Sequence, residues 1–296
     1  MSLLRYVFDY ARWKYLCRGV AKRLSQEKIC PCCHSTKSRT IDRKLIYRLE
    51  QCEQCLIRFR FPYETVEEMN RYYQSDYKQA GLTTGLPTEE QLQELLANSF
   101  VGSEKDYSQV IAMLHSLALG KGAKVLDYGA NWGYFTLQLQ KAGFSAQGYE
   151  ISRLRAEFAQ RLGVLIATDL DLLTPPFDVV YSSHVLEHMP NPLAALREQL
   201  SLTRERGFVI AHTPNGSEAY QRAHYDPFHR SWGLPHPVLL TDSFITTNMR
   251  AYPCLIAESV NRGYPSELTK WGQRENFIGD LSHQGELLII ICNRPK

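Results

Sequence analysis

Long hydrophobic runs are absent from this chain of 296 residues. No apolar stretch approaches the roughly 18 residues that a membrane-spanning helix needs. The N-terminus also lacks the compact apolar segment and small-residue cleavage site of a secretory signal. We therefore expect a cytoplasmic protein. Its apolar content of 44% is ordinary for a globular chain, and its length fits one large domain with a smaller one.

A strong net charge is lacking as well. The chain carries 34 Lys and Arg against 31 Asp and Glu, and the resulting +3 does not by itself indicate a nucleic-acid partner. The positive charge is concentrated in a leader, residues 1–28, which contains seven basic and two acidic residues. Its apolar residues follow a roughly helical spacing: Leu4, Phe8, Ala11, Tyr15 and Val20. The leader could lie on the anionic inner face of a membrane, or it could pack against the protein itself or a partner protein.

Cysteine is unevenly distributed along the chain. Five of the eight cysteines lie between Cys30 and Cys55, and the pairs Cys30/Cys33 and Cys52/Cys55 each have the C-x-x-C spacing. In a cytosolic chain this pattern favours a metal over disulfides. Four thiolates close a tetrahedral zinc site, whose expected role is to stabilise a small module. Two spare ligands could replace one member of the first pair: Cys32 and His34.

The order of predicted elements defines four segments. The leader is followed by a metal-binding module with short strands at 29–60 and by a mostly helical segment at 61–120. Within 121–296, short apolar runs alternate with helical patterns, which predicts an α/β domain with a mostly parallel sheet. The predicted strands are Lys124–Tyr128, Ala146–Ile151, Val164–Ala167, Asp178–Ser182, Phe208–Thr213, Cys254–Val260 and Leu287–Cys292.

A glycine-containing turn follows the first of these strands. Gly129 and Gly133 come directly after Asp127 and before a predicted helix, which is the arrangement that holds a polar ligand over the ends of parallel strands. Glu150 follows the next strand and can accept hydrogen bonds from ribose hydroxyls. Asp169 follows the third strand, within reach of an adenine amino group. The turn lacks the G-x-G-x-x-G pattern of nicotinamide enzymes.

The stretch from Lys124 to Asn215 resembles the class I S-adenosylmethionine-dependent methyltransferases. The matching pieces are VLDYGANWGYF, GYEIS, FDVVYSSHVLEHMPNP and GFVIAHTPN, in that order. The resemblance implies a seven-stranded Rossmann-like sheet whose last strand is antiparallel. It implies that S-adenosylmethionine is held by these residues: Asp127, Gly129, Asn131, Gly133, Glu150, Ile151, Asp169, Ser183 and His184. Asp127, Gly129 and Gly133 would line the methionine side of the cofactor. Glu150 would hold the ribose, and Ser183 and His184 would lie beside the sulfonium.

One position departs from the family pattern. Asn131 stands where these enzymes usually have their middle glycine. Asn is among the side chains that best tolerate the left-handed backbone conformation. We therefore expect the turn to form.

The cysteine segment adds a second resemblance. Its continuation, CLIRFRFP followed by MNRYY, is similar to the N-terminal zinc-binding segment of bacterial methyltransferases that act on sugars. This resemblance implies a sugar acceptor, either nucleotide-linked or part of a surface polysaccharide, and a structural zinc ion held in a zinc-ribbon-like module. Zinc that activates the acceptor directly is the alternative role.

The segment after the fifth strand is rich in histidine and aromatic residues. A histidine can serve as a general base, and His229 and His236 lead because Trp232 and Gly233 suggest an ordered turn between them. His188 is the third candidate. The alternative is a capping loop with ordinary surface histidines.

Two other functions stay open. An RNA methyltransferase could use the zinc module and the basic leader to bind nucleic acid, although the basic excess is confined to that leader. A non-catalytic adaptor could keep the cofactor fold without the reaction, but the presence of both Asp127 and Glu150 argues against it.

Overall fold

The computed structural model describes most of the chain. The described residues are 17, 19–64, 68, 85–233, 236–263, 266–273 and 275–294. Most of the leader, and residues 65–67 and 69–84 of the predicted helical segment, lie outside them. The described end of the leader is helical over 19–25, and Gln26 Nε2 donates to the Tyr63 carbonyl oxygen at 2.9 Å. This end therefore packs against the protein itself. Among the described residues, no helix is long and apolar enough to cross a membrane.

The larger sheet has eight strands in the order β11-β10-β12-β8-β7-β4-β5-β6. The five strands from β6 to β8 are mutually parallel, and β12 is antiparallel to both of its neighbours. The bounds are β4 Lys124–Tyr128, β5 Ser145–Tyr149, β6 Ile166–Ala167, β7 Phe177–Ser183, β8 Thr203–Thr213, β10 Cys254–Ser259, β11 Phe277–Ile278 and β12 Glu286–Cys292. All seven predicted strands and the antiparallel last strand are confirmed.

The prediction of seven strands was one short. The additional strand, β11, has two residues and pairs in parallel with β10 at the edge of the sheet. It forms because the connection to β12 runs back along that edge, where the backbone N–H of Gly279 donates to the carbonyl oxygen of Ile256 at 2.9 Å. The strand β6 is equally short but lies in the predicted apolar run Val164–Ala167, whereas β11 has only two apolar residues, between Asn276 and Gly279.

Nine α-helices follow the helical end of the leader within the described residues. They are α1 Glu89–Ala97, α2 Ser108–Ser116, α3 Tyr134–Lys141, α4 Arg153–Gln160, α5 Pro192–Leu202, α6 Glu218–Ala223, α7 Tyr225–Ser231, α8 Asp242–Asn248 and α9 Glu267–Lys270. Local sequence sets their ends. Helix α1 begins with a capping box between Thr88 and Gln91, and α5 begins with Pro192 behind the N-cap Asn191.

The core lies on both faces of the larger sheet. Leu126, Val180 and Ile289 point to one face and are fully buried, while their neighbours Val125 and Val179 point to the other. Helices cover both faces, as expected for a parallel sheet. The carboxyl ends of the parallel strands stay uncovered.

The smaller sheet has four antiparallel strands in the order β1-β2-β3-β9. The first three are β1 Ser38–Lys44, β2 Tyr47–Cys52 and β3 Arg58–Phe61, and the fourth is β9 Val238–Leu239. Because β9 comes from the segment between β8 and α8, the sheet combines the predicted cysteine module with a piece of the predicted α/β domain.

Candidate active site

A cleft of about 1180 Å³ opens at the carboxyl ends of the parallel strands. Its lining contains six of the nine residues predicted to bind the cofactor: Gly129, Asn131, Glu150, Ile151, Ser183 and His184. Asp127 and Gly133 lie beneath the same turn. Asp169 is not among the lining residues, and its side chain accepts from the backbone N–H of Asp171 at 3.2 Å instead.

The turn after β4 uses three left-handed residues. The φ angles are 90° at Gly129, 53° at Asn131 and 80° at Gly133, so Asn131 takes the conformation that a glycine would take. The backbone N–H groups of Gly129 and Ala130 both donate to the carbonyl oxygen of Tyr149. A Cβ atom on Gly129 would lie 2.4 Å from Val185 Cγ2. Glycine is therefore required at that position for both backbone conformation and space.

Two carboxylates support the turn from below and from the side. Asp127 is buried and accepts from Thr136 Oγ1 at 2.8 Å, and burial raises its pKa to about 7. Glu150 accepts from the backbone N–H of Asn131 at 3.0 Å and from that of Ser152 at 2.9 Å. Burial also raises the pKa of Glu150. Glu150 lines the cleft, so its carboxylate is available to a ligand, whereas Asp127 stabilises the turn.

His184 is held between two carboxylates. Its Nδ1 lies 3.0 Å from Glu187 Oε1, and its Nε2 lies 2.8 Å from Glu286 Oε1. Burial lowers the pKa of His184, but the hydrogen bonds to Glu187 and Glu286 outweigh it and raise the pKa to about 10. The side chain is therefore a fixed imidazolium at neutral pH.

Sequence reasoning missed Glu286, which lines the cleft. It is the first residue of β12, immediately before the apolar run Leu287–Cys292. Because β12 is antiparallel, its first residue lies where the parallel strands end. A charged residue directly before the last, antiparallel strand could have indicated that Glu286 lies at the strand ends.

Two of the three predicted catalytic histidines meet in the cleft. The rings of His188 and His236 are 4.9 Å apart and edge to face, and both line the cleft. His236 Nδ1 lies 2.6 Å from the Ser231 carbonyl oxygen. Since only a protonated nitrogen can donate to a carbonyl, His236 Nε2 is the nitrogen with a free lone pair when the ring is neutral.

His229 lies elsewhere. Its Nδ1 is 2.8 Å from Asp42 Oδ2 on β1, and the same buried carboxylate accepts from Trp232 Nε1 at 2.7 Å and from Tyr225 Oη at 3.0 Å. His229 is not among the residues that line the cleft. The cluster fastens α7 to the smaller sheet, and a catalytic role for His229 stays a prediction without support from this geometry.

The four paired cysteines converge on one point. The Sγ atoms of Cys30, Cys33, Cys52 and Cys55 all lie within 4.8 Å of one another, with 3.5 Å between Cys30 and Cys55 and 3.4 Å between Cys33 and Cys52. A tetrahedral zinc ion with Zn–S bonds of about 2.3 Å needs sulfur atoms roughly 3.8 Å apart. The donor set and its spacing therefore fit a structural zinc ion. Cys32 is buried beside the set, and His34 is exposed.

The smaller sheet carries the segment that forms the histidine end of the cleft. The backbone N–H of Arg60 donates to the carbonyl oxygen of Pro237 at 2.7 Å, next to His236. Lys44 Nζ donates to the carbonyl oxygen of Trp232, and Gln221 Nε2 donates to that of Ile41 at 3.4 Å. The position of His236 thus depends on the smaller sheet, whose strand β2 ends at Cys52.

Comparison with known proteins agrees with this architecture. Residues 103–246 match a sequence family described as "Methyltransferase domain". The chain is 31% identical over 119 residues to a demethylmenaquinone methyltransferase of Mycolicibacterium paratuberculosis, covering 39% of this chain and 52% of that protein. It is 28% identical over 111 residues to a ubiquinone biosynthesis O-methyltransferase of Ralstonia nicotianae, covering 34% and 47%. The chain therefore spans about half the length of these curated relatives.

A solved structure shares the fold. Magnesium protoporphyrin IX methyltransferase from Synechocystis PCC 6803, crystallised with bound SAH, superposes with a TM-score of 0.50 at 14% identity, over 77% of this chain and all of that one. At this level of identity the likeness shows the fold alone.

Proposed function

We propose that this chain, which carries a class I S-adenosylmethionine-dependent methyltransferase domain, methylates a hydroxyl oxygen of a sugar or sugar-containing molecule. The observation that carries the proposal is that one cleft contains both the cofactor turn at Gly129 and the histidine pair formed by His188 and His236. A methyl donor at one end and a proton acceptor at the other are what this reaction needs.

The cofactor end supplies complementary charge. The Glu150 carboxylate is positioned to accept hydrogen bonds from two ribose hydroxyls. Lys105 and Arg262 line the cleft beside Tyr107 and Tyr134, where they would pair with the carboxylate of the methionine moiety. The fixed imidazolium of His184 keeps Glu286 and Glu187 in place next to the strand ends.

The acceptor end supplies a base. When bound, S-adenosylmethionine provides an activated methyl group that passes in line to the acceptor oxygen while the electron pair of the breaking C–S bond returns to sulfur. His236 Nε2 would take the proton of the acceptor hydroxyl, since its Nδ1–H is directed at the Ser231 carbonyl. His188 packs against the ring and fixes its orientation.

The lining favours a sugar ring. Tyr220 provides an aromatic face, and Gln284 provides an amide that can bind hydroxyls. Aromatic side chains with a few convergent polar groups are typical of small-molecule sites. A phenol or quinol acceptor is the second candidate, because two relatives are named for quinone biosynthesis.

An RNA acceptor has less support. The basic leader on which it rests lies mostly outside the described residues. A salt-sensitive shift of RNA at physiological ionic strength is the measurement that would favour it.

Incubation of the purified protein with methyl-labelled S-adenosylmethionine and panels of nucleotide sugars, lipid-linked glycans, phenols and RNA tests the proposal. We expect label in an oxygen-linked methyl group of a sugar. His236→Ala should lower turnover by about 10²–10⁴-fold without loss of cofactor binding. Label in a phenol would select the second candidate, and cofactor binding without transfer to any panel would contradict the proposed acceptor class.

A further inference from the structure

A second group of metal-ligating side chains lies at the histidine end of the cleft. A carboxylate oxygen of Glu187 and one ring nitrogen each of His188 and His236 lie within 4.8 Å of one another. Glu187 Oε1 is 4.0 Å from His188 Nε2. An ion with bonds of about 2.1 Å needs ligand atoms roughly 3.0–3.4 Å apart, so the two imidazoles must move closer to Glu187 when an ion binds.

Hydrogen bonds orient these ligands from behind. His236 Nδ1 is directed at the Ser231 carbonyl oxygen, so Nε2 is the ring nitrogen left to bind an ion. Glu187 is fully buried, and its Oε2 accepts from Thr213 Oγ1 at 3.0 Å. A histidine backed by a carbonyl and a carboxylate held by a second hydrogen bond are the outer contacts that metal ligands usually have.

Charge also favours a cation here. The Glu187 carboxylate has almost no access to water, and a buried carboxylate needs compensation by positive charge. His184 supplies part of it from one side. On the side of the carboxylate where His188 and His236 lie, both imidazoles carry no charge when they are unprotonated. A cation bound there would supply the remaining positive charge.

We propose that Glu187, His188 and His236 bind one divalent transition-metal cation, and that this cation binds the oxygen of the methyl acceptor. The inference rests on the methyl transfer of the proposed function, and it makes His236 Nε2 a metal ligand in place of the base. Two imidazoles and one carboxylate on one side of an ion are the donor set of Mn²⁺, Fe²⁺ and Co²⁺ sites with open coordination positions. Both histidines line the cleft, so the open positions face the acceptor. The cysteine cluster is a separate site with thiolate ligands.

The cation would replace the histidine as the activating group. A hydroxyl bound to a divalent cation loses its proton more readily, and the proton passes to water in the open cleft. The resulting alkoxide oxygen forms the new bond to the methyl carbon, and the C–S bond breaks with its electron pair left on sulfur. An acceptor with two neighbouring oxygens, such as a vicinal diol, can occupy two open positions at once.

Titration of the zinc-loaded full-length protein with Mn²⁺, followed by electron paramagnetic resonance and calorimetry, tests the site. Mn²⁺ is a suitable probe because thiolate ligands prefer Zn²⁺ and leave the cysteine cluster undisturbed. We expect one Mn²⁺ per chain. The affinity should fall by roughly tenfold or more in His188→Ala and in His236→Ala, and it should be unchanged in His115→Ala, which alters an exposed histidine on α2.

Binding of S-adenosylmethionine to the same variants shows whether they are folded and separates the two claims. Retained cofactor binding with lost Mn²⁺ binding supports the site. If the wild-type protein binds no Mn²⁺ at millimolar concentration, or if both variants bind it as tightly as the wild type, the inference is wrong, although the histidines could still act as bases. Absent cofactor binding in the wild type would instead contradict the proposed function.

Discussion

At the scale of single residues, the cofactor turn depends on Gly129, where the structure leaves no room for a side chain. Gly129 combines a left-handed backbone with close contact to Val185. Gly163 also has a positive φ angle, of 72°, but a Cβ atom there would meet nothing within 4 Å. Alanine substitutions at the two glycines therefore separate the free-energy cost of the left-handed backbone conformation from the cost of a steric clash.

Replacement of Gly129 by alanine should abolish cofactor binding and destabilise the fold. We expect Gly163→Ala to cost about 1–2 kcal/mol in unfolding free energy from the left-handed backbone alone, and Gly129→Ala to cost more because Val185 must move. Calorimetry of cofactor binding and urea unfolding measure both effects. Equal stability of the two variants would show that the contact with Val185 is easily relieved.

The imidazolium of His184 predicts a pH dependence of stability. Its pKa of about 10 in the folded protein lies above the unfolded value of about 6.5. The contribution of this group is therefore fully present below pH ~6.5 and is lost as the pH rises through ~10. Thermal unfolding followed across this range should show a steeper loss of stability in the wild type than in His184→Gln. Parallel curves would mean that the two carboxylates do not hold the charged ring.

Residue-level prediction from sequence succeeded where the signal is local. Gly129, Asn131 and Glu150 lie on one strand-turn-helix unit and its neighbour, and the turn formed as expected. Glu286 was missed because it reaches the cleft through an antiparallel strand about 100 residues after His184. His229 was predicted to lie in the acceptor site. Its hydrogen bond to Asp42, 187 positions away, could not be recognised from the sequence.

At the scale of elements, the smaller sheet connects the cysteine cluster to the acceptor end of the cleft. The connection runs through β9, which pairs with β3 directly after His236. This pairing joins positions about 180 apart in the chain, and nothing in the sequence indicates it. Apart from β11, the strands of the larger sheet lie in apolar runs and were predicted to within five residues at each end.

Disruption of the cysteine cluster, whose geometry fits a structural zinc ion, should uncouple the two ends of the cleft. We expect Cys52→Ser to lower acceptor methylation by roughly tenfold or more while the affinity for S-adenosylmethionine stays unchanged, because the cofactor turn belongs to the larger sheet. Hydrogen exchange should increase in 217–241. The control is Cys17→Ser, which alters an exposed cysteine. An equal loss of cofactor affinity in Cys52→Ser would show that the smaller sheet supports the whole domain.

At the scale of the whole molecule, one cleft opens at the strand ends of the larger sheet, and the smaller sheet holds a segment that completes its lining. The larger sheet supplies the turn, the acidic residue after β5 and the imidazolium after β7. The added sheet holds the segment that supplies His236. This division explains why the fold could be identified from sequence while the acceptor could not, since acceptor contacts arise from long-range packing between the two sheets.

The most direct test of the account is calorimetric titration of S-adenosylmethionine into the wild-type protein and into Glu150→Ala. We predict one molecule bound per chain, with the affinity weakened by at least tenfold in the variant, which corresponds to about 1.4 kcal/mol. Ser25→Ala, on the exposed described end of the leader, is the control and should bind as the wild type does. Absence of binding to the wild type, or equal affinity in Glu150→Ala, would contradict the assignment of this cleft.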